Sequence, residues 1–361
     1  MCSTLTVGGP PDGTIVVSEG NDMASQKGLP LNVLDLASRP AGGSNSDAVN
    51  GAVRLAQRAE TLGYHRFWVA EHHGMPSIAA SAPAVLIAAI AAQTERIRVG
   101  SGGVMLPNHA PLVVAEQFGT LRALYGDRID LGIGRAPGTD GATAMALRRS
   151  QQGLGVEDFP QQLLDLIGFF YGGMSESNPL HSLTAVPGLG DSPEIWLLGS
   201  SGYSAQVAAA LGLPFAFAHH FDGENTEAAL ELYRSRFVPN DFMSEPYAMI
   251  AVNVVADDDP ETVRALSLPA QLAFLRMRTG AKVQPISVQE ALEHDYSPME
   301  LEFIASRTAR QALGTPSVVK DRLESLLAST KADELIVSPS AATLEGRIRT
   351  LEIVSEILPA N

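Results

Sequence analysis

Eight times between Leu29 and the C-terminus an apolar, strand-like run is followed by a helical one, and this alternation restricts the fold more than any other feature. A helix between two strands carries the chain back to its starting side, so the strands must pair in parallel. The runs cover residues 31–37, 65–70, 97–105, 128–133, 194–198, 214–218, 247–255 and 334–337. Asn45-Ser46-Asp47 offers a cap for a helix that turns Val49, Val53, Ala56, Ala59 and Leu62 to one side and stops at Gly63. A helix of small residues follows over 84–92, and Pro111 opens another that ends near Gly126. Further helices are expected over 159–170, 204–211, from Pro260 onward and over 343–357. Eight such steps favour the α/β class and a closed (β/α)8 TIM barrel over an open doubly wound sheet. Insertions are expected after strands four and seven, where 141–192 and the polar, irregular stretch 279–297 break the pattern. Without an internal repeat or dividing linker, residues 29–361 read as one domain. Residues 1–28, with Gly8-Gly9-Pro10-Pro11-Asp12-Gly13, read as a flexible N-terminal extension, and Met23 could serve as an alternative start.

Composition narrows the classes of partner. Hydrophobic residues at 45% and charged ones at 18% suit a soluble chain with a sizeable core. The net charge is −15, from 25 Lys and Arg against 40 Asp and Glu, a surface that repels phosphate backbones and anionic lipid. Neither nucleic acid nor a membrane is expected as a partner. The longest apolar segment, 79–92, is interrupted by Ser81 and Pro83, and the N-terminus has no cationic start before an apolar run, so a cytoplasmic location is expected. Cys2 is the only cysteine, which leaves no internal disulfide and no thiolate metal cluster.

In a barrel of this kind chemistry gathers where the strands end. Strand two ends Trp68-Val69-Ala70-Glu71-His72-His73, strand three runs into Gly102-Gly103-Val104-Met105-Leu106-Pro107-Asn108-His109, and strand four into Gly134-Arg135-Ala136-Pro137. Of His72 and His73, one can enter the mouth while the other packs outside; a histidine there is about as often a general acid or base as a hydrogen-bonded structural residue. His72, His73, His109, His219 and His220 raise the question of a metal. Strand one, however, ends Asp35-Leu36-Ala37-Ser38 without a His-x-His, and strand eight ends Ser338-Pro339 without a carboxylate, so no metal is expected. None of Lys27, Lys282, Lys320 and Lys331 stands at a strand end for Schiff-base chemistry, and Arg135 takes the place of one carboxylate of a glycosidase pair.

Gly199-Ser200-Ser201-Gly202-Tyr203-Ser204 opens the helix after strand five. Taken alone it is an ordinary capped start; beside Arg135 it suggests a seat for a small mono-phosphorylated cofactor. Gly132-x-Gly134-x-x-x-Gly138 departs from a dinucleotide fingerprint, with Pro137 at its last glycine position. Gly102-Gly103 reads equally well as a flat wall for a planar ring or as close packing.

Together these segments resemble the bacterial luciferase-like flavin monooxygenases. The matching residues are Ala70-Glu71-His72-His73, the run from Gly102 to Pro111, Ala115-Glu116-Gln117-Phe118, Gly132 to Asp140, Leu198 to Gly202, Ala218-His219-His220-Phe221 and Ala332-Asp333-Glu334-Leu335. The resemblance spans Leu29 to the C-terminus. It implies a (β/α)8 barrel and reduced FMN, with His72 as the catalytic histidine near the C4a/N5 edge of the flavin. By the same resemblance Arg135, Ser200, Ser201 and Ser204 would hold the FMN phosphate, and Gly102-Gly103 would be a cis peptide beneath the isoalloxazine. Where some relatives carry a reactive cysteine before that arginine, this chain has Gly134. The stretch 279–297 corresponds to a mobile lid. The implied activity is that of a two-component monooxygenase, in which a separate reductase supplies reduced FMN, O2 adds to form a C4a-hydroperoxyflavin, and a small organic substrate takes one oxygen atom. A homodimer is implied as well. The alternatives are an F420-dependent hydride-transfer enzyme of the same fold, whose anionic tail would find few basic residues here, and a non-catalytic flavin-binding partner subunit.

Overall fold

The computed structural model describes residues 28–136, 141–148, 158–221, 223–278 and 284–358; the expectations for 1–27, for Pro137 to Asp140 and for 279–283 lie outside the described residues. In chain order the elements are β1 (Leu31–Asp35), α1 (Asn45–Thr61), β2 (Arg66–Val69), α2 (Pro83–Ala91), β3 (Arg98–Met105), α3 (Pro111–Tyr125), β4 (Ile129–Gly134), α4 (Gly141–Arg148), α5 (Phe159–Tyr171), β5 (Glu194–Gly199), α6 (Gly202–Leu211), β6 (Phe215–Phe217), α7 (Thr226–Ser235), β7 (Ala248–Ala256), α8 (Pro260–Arg278), α9 (Val288–Glu293), α10 (Pro298–Thr308), β8 (Ala312–Gly314), α11 (Pro316–Thr330), β9 (Glu334–Pro339) and α12 (Leu344–Ile357).

All strand pairings are parallel, and the sheet runs from β1 through β7 to β9, which returns to β1 and closes the barrel. The eighth barrel strand is thus β9, at the position expected from 334–337. The sequence reading did not include β8. Its three residues pair only with Val254, Val255 and Ala256 at the end of β7, and a run so short leaves no period to read. Insertions do follow β4 and β7, as expected. The stretch 284–297 is irregular except for α9, which Ser287 caps through the Glu290 N–H and which Leu272, Ile286 and Ala291 seat on α8 in an apolar cluster. At α1 the cap is Ser44 rather than the 45–47 triplet, with Asp47 completing a reciprocal capping box.

The core has two parts. Apolar side chains fill the space between strands and helices, while Leu34, Trp68, Ala70, Trp196, Ala216, Met249, Ala251 and Ile336 pack inside the barrel. Below this inner layer, at the strand starts, lies a buried charged layer. Arg66 reaches Asp130 (2.9 Å), Glu194 (3.0 Å) and Glu334 (3.1 Å), and Arg98 reaches Asp130 (2.5 Å) and Glu194 (3.0 Å). The remaining carboxylate lone pairs accept from Asn32 Nδ2 (2.7 Å), Trp68 Nε1 (2.9 Å), Trp196 Nε1 (2.7 Å) and the Tyr247 hydroxyl (2.9 Å). Burial works against ionisation of Asp130, yet the two guanidiniums outweigh it and pull its pKa down to about 2.

Such a network tolerates burial only while every member is paired. Arg66→Met is therefore expected to lower unfolding free energy by about 3–5 kcal/mol, because it leaves Glu334 without a guanidinium and Arg98 alone against Asp130 and Glu194. Denaturant titration at pH 7 measures this, and a loss below about 1 kcal/mol would contradict the account.

Candidate active site

At the opposite end of the barrel the strands deliver a set of polar groups to the mouth. The chain leaves β2 at Ala70 and places Glu71 wholly inside the protein. Its carboxylate accepts from His73 Nε2 (2.8 Å), His109 Nε2 (2.9 Å), Asn108 Nδ2 (3.2 Å) and the Met105 backbone N–H (2.9 Å). Burial opposes the charge on Glu71, but the His109, His73 and Met105 hydrogen bonds prevail and hold its pKa below the ordinary glutamate value. The carboxylate thus ties the end of β2 to the turn that follows β3. The His73 ring turns to Glu71, and because β2 has already ended at Val69, strand alternation does not sort His72 from His73. The sequence reading gave Glu71 no role of its own, and it numbered His109 only among possible metal ligands. Among the described residues no set of three His, Cys, Asp or Glu side chains is arranged to hold a metal ion.

β3 supplies the wall beside this hub. Gly102-Gly103 is a cis peptide, and the β3–β4 register shifts at that point, where Gly102 faces Gly132 but Val104 faces Ile133. A Cβ on Gly103 would stand 2.6 Å from the Gly132 carbonyl oxygen, and one on Gly102 would stand 2.7 Å from Leu34 Cδ1. Close backbone packing therefore requires glycine here, and the same absence of side chains leaves the wall smooth. Gly102 keeps some exposure between the buried Ser101 and Gly103.

At the ends of β4 and β5 the structure joins two features that are far apart in sequence. The Arg135 guanidinium lies 4.2 Å from the Tyr203 ring centroid, which sets it beside the first turn of α6. Ser201 is the N-cap of α6 in extended conformation, yet its hydroxyl makes no capping bond. Ser204, 6% exposed, sits so close to Gly199 that a Cβ there would fall 2.2 Å from its own. Among the described residues no hydrogen-bond acceptor engages the Ser200, Ser201 or Ser204 hydroxyls, and no carboxylate pairs with Arg135. Unused hydroxyls and helix N–H groups beside an unpaired guanidinium suit a phosphate.

His72 is partly buried, and its backbone N–H donates to the Ala80 carbonyl (2.8 Å). It lies close enough to His220, at the end of β6, to disfavour charge there. Loss of water around the His220 ring, aided by His219 and His72, pulls its pKa down to about 4. His220 Nδ1 is 3.2 Å from the Ala251 carbonyl, which assigns the proton to Nδ1 and leaves Nε2 as an acceptor. The neighbouring His219 turns to the Thr226 hydroxyl (2.8 Å). The doubled histidine after strand six was the available signal for both. The mouth therefore combines a neutral imidazole and His72 with a wall bare of side chains and a group of hydroxyl and guanidinium donors not engaged by a carboxylate among the described residues.

Comparison with known proteins agrees with this geometry. Residues 31–334 match the family described as luciferase-like monooxygenase. A luciferase-like monooxygenase of Escherichia coli (strain K12) is 42% identical over 333 residues, which cover 92% of this chain and 98% of that protein. The N-acetyl-S-alkylcysteine monooxygenase of Bacillus subtilis (strain 168) is 35% identical over 312 residues, 85% of this chain and 91% of the relative. The crystal structure of apo-MsnO8 superposes with a TM-score of 0.83 at 34% identity, covering 92% of this chain and 99% of that one. The chain belongs to the luciferase-like monooxygenase family and is an oxidoreductase.

The depressed His220 pKa carries a stability consequence. Between pH 6.5 and about 4 the unfolded chain binds a proton at this position that the folded chain refuses, so the fold loses stability as pH falls through that window. His220→Gln removes this contribution. Denaturant titrations from pH 8 to pH 4.5 are expected to show the variant gaining on the wild type only below pH 6.5.

Proposed function

We propose that the protein is the oxygenating component of a two-component flavin monooxygenase, binding reduced FMN supplied by a separate reductase and oxygenating a small organic substrate with O2. The observation that carries this reading is the meeting, at one mouth, of His72 and His220, the Gly102-Gly103 wall and the unengaged donors around Arg135. Bound there, reduced FMN supplies the electrons that activate O2. Arg135, with the Ser200, Ser201 and Ser204 hydroxyls and the N–H groups of the first turn of α6, would hold its phosphate. Glu71 would keep the β3 turn beside the ring through its bonds to Met105, Asn108 and His109. His72 would hold and return the proton that oxygen transfer requires, while the neutral His220 accepts a hydrogen bond at Nε2. The β4 glycines lack a dinucleotide fingerprint, which supports an external source of electrons.

Among the described residues no helix is long and apolar enough to cross a membrane, which is consistent with the proposed cytoplasmic setting. Exposed Val85 on α2 and Val113 and Leu124 on α3 make this pair of helices the proposed homodimer face. The relative that acts on N-acetyl-S-alkylcysteines makes such compounds the first substrates to test.

Anaerobic titration with reduced FMN and with reduced F420 tests the cofactor: FMN is expected to saturate a single site and F420 to bind far more weakly. Arg135→Gln is expected to weaken FMN binding by about 10- to 100-fold, the loss of one charge-assisted contact. His72→Ala is expected to keep FMN affinity and lose about 100-fold or more in substrate oxygenation, with oxygen consumption diverted to hydrogen peroxide. Full product yield in that variant would remove His72 from the proton role.

A further inference from the structure

The phosphate seat lies at the ends of β4 and β5, but the insertion after β7 brings a different cation toward the mouth. Arg307, near the end of α10, lays its guanidinium 3.5 Å from the centroid of Phe274 on α8. Phe274 stacks on Phe303 at 5.9 Å and 10°, and Arg278 covers Phe303 at 4.2 Å, so a ladder of two rings and two guanidiniums pins α10 to α8. The two arginines of the ladder differ. Arg278 is exposed, whereas Arg307 is partly buried, with its Nε shut away from water and bonded to nothing.

An aromatic face orients a guanidinium but leaves its charge uncompensated. Other arginines of the same surroundings find carboxylates: Arg310 pairs with Glu224, and Arg276 with Glu290 at 2.6 Å. Among the described residues no carboxylate pairs with Arg307, in a chain of net charge −15. Arg307 also lies near enough to His220 to disfavour a charge on that ring. Arg307 is a permanent cation there, whereas burial disfavours charge on both His219 and His220. The Arg307 guanidinium, held on Phe274 with its Nε unbonded, is therefore left without a paired carboxylate among the described residues of an acidic protein, and an anion would relieve it.

We propose that Arg307 is a recognition site for a carboxylate on the substrate, which it would anchor with the reacting part of the molecule toward His72 and His220. The planar fork of the guanidinium matches the two oxygens of a carboxylate. The tetrahedral phosphate of the cofactor already has its own donors around Arg135. This inference rests on the functional reading above and adds the substrate class to it.

The test uses the full chain loaded with FMN and two probes, N-acetyl-S-benzyl-L-cysteine and its carboxamide, titrated calorimetrically. The wild type is expected to bind the acid about tenfold or more tightly than the amide, the value of one charge-assisted fork. Arg307→Met is expected to erase that preference while keeping amide and FMN affinity, and Arg307→Lys to retain part of it. Arg278→Met, which removes the other end of the ladder, is expected to leave the preference intact. Equal binding of acid and amide by the wild type, binding of neither, or a preference that survives in Arg307→Met would overturn the proposal. A loss of FMN affinity in Arg307→Met would overturn it too, because Arg307 would then serve the flavin phosphate. Preferential binding of the acid without any oxygenation by reduced FMN would leave the carboxylate site standing and refute the monooxygenase reading instead.

Discussion

The barrel depends on the charged layer at its floor. Arg66 and Arg98, from neighbouring strands, share Asp130 and Glu194, and Arg66 also holds Glu334 on the strand that closes the ring. Five strand starts are thereby fixed to one another by contacts whose loss would expose a bare charge to an apolar interior. Two arginines against three carboxylates leave an excess of negative charge. The indole, amide and phenol donors of Trp68, Trp196, Asn32 and Tyr247 compensate it. A register so defined at one end determines which residues emerge at the other.

The same logic recurs at the mouth on a smaller scale. Glu71 is a buried carboxylate made tolerable by donors from the turn after β3, and in accepting them it sets where that turn lies. The Gly102-Gly103 wall, the end of β4 with Arg135 and the first turn of α6 follow in order around the rim. The site is thus a consequence of parallel closure, which sends the carboxyl ends of all barrel strands to one face.

Much of this was legible in the sequence, for identifiable reasons. Parallel strands covered on both faces become continuous apolar runs, so the eight barrel strands could be located within a residue or two. Arg135 and the Ser200–Ser204 turn could be read as neighbours because they follow adjacent strands of one parallel sheet. β8 was missed because three residues carry no period. α9 went unread within an otherwise irregular stretch because its few buried neighbours, Ile286 and Ala291, are sparse among polar residues, and only α8 beneath them makes a core. Glu71 stood in view beside His72, but its partners lie up to 38 positions away, and no spacing rule reaches that far.

The sequence by itself determined the class of fold, the sites of insertion and the residue types at each strand end, because these follow from local periodicity and from the direction imposed by each strand–helix step. Only the tertiary structure decided which polar groups neutralise one another. It paired Glu71 with His73 and His109, left Arg135 and Arg307 without a carboxylate among the described residues, and set His220 where its charge is disfavoured. Charge compensation and desolvation depend on distances across the barrel, and those exist only once the ring has closed.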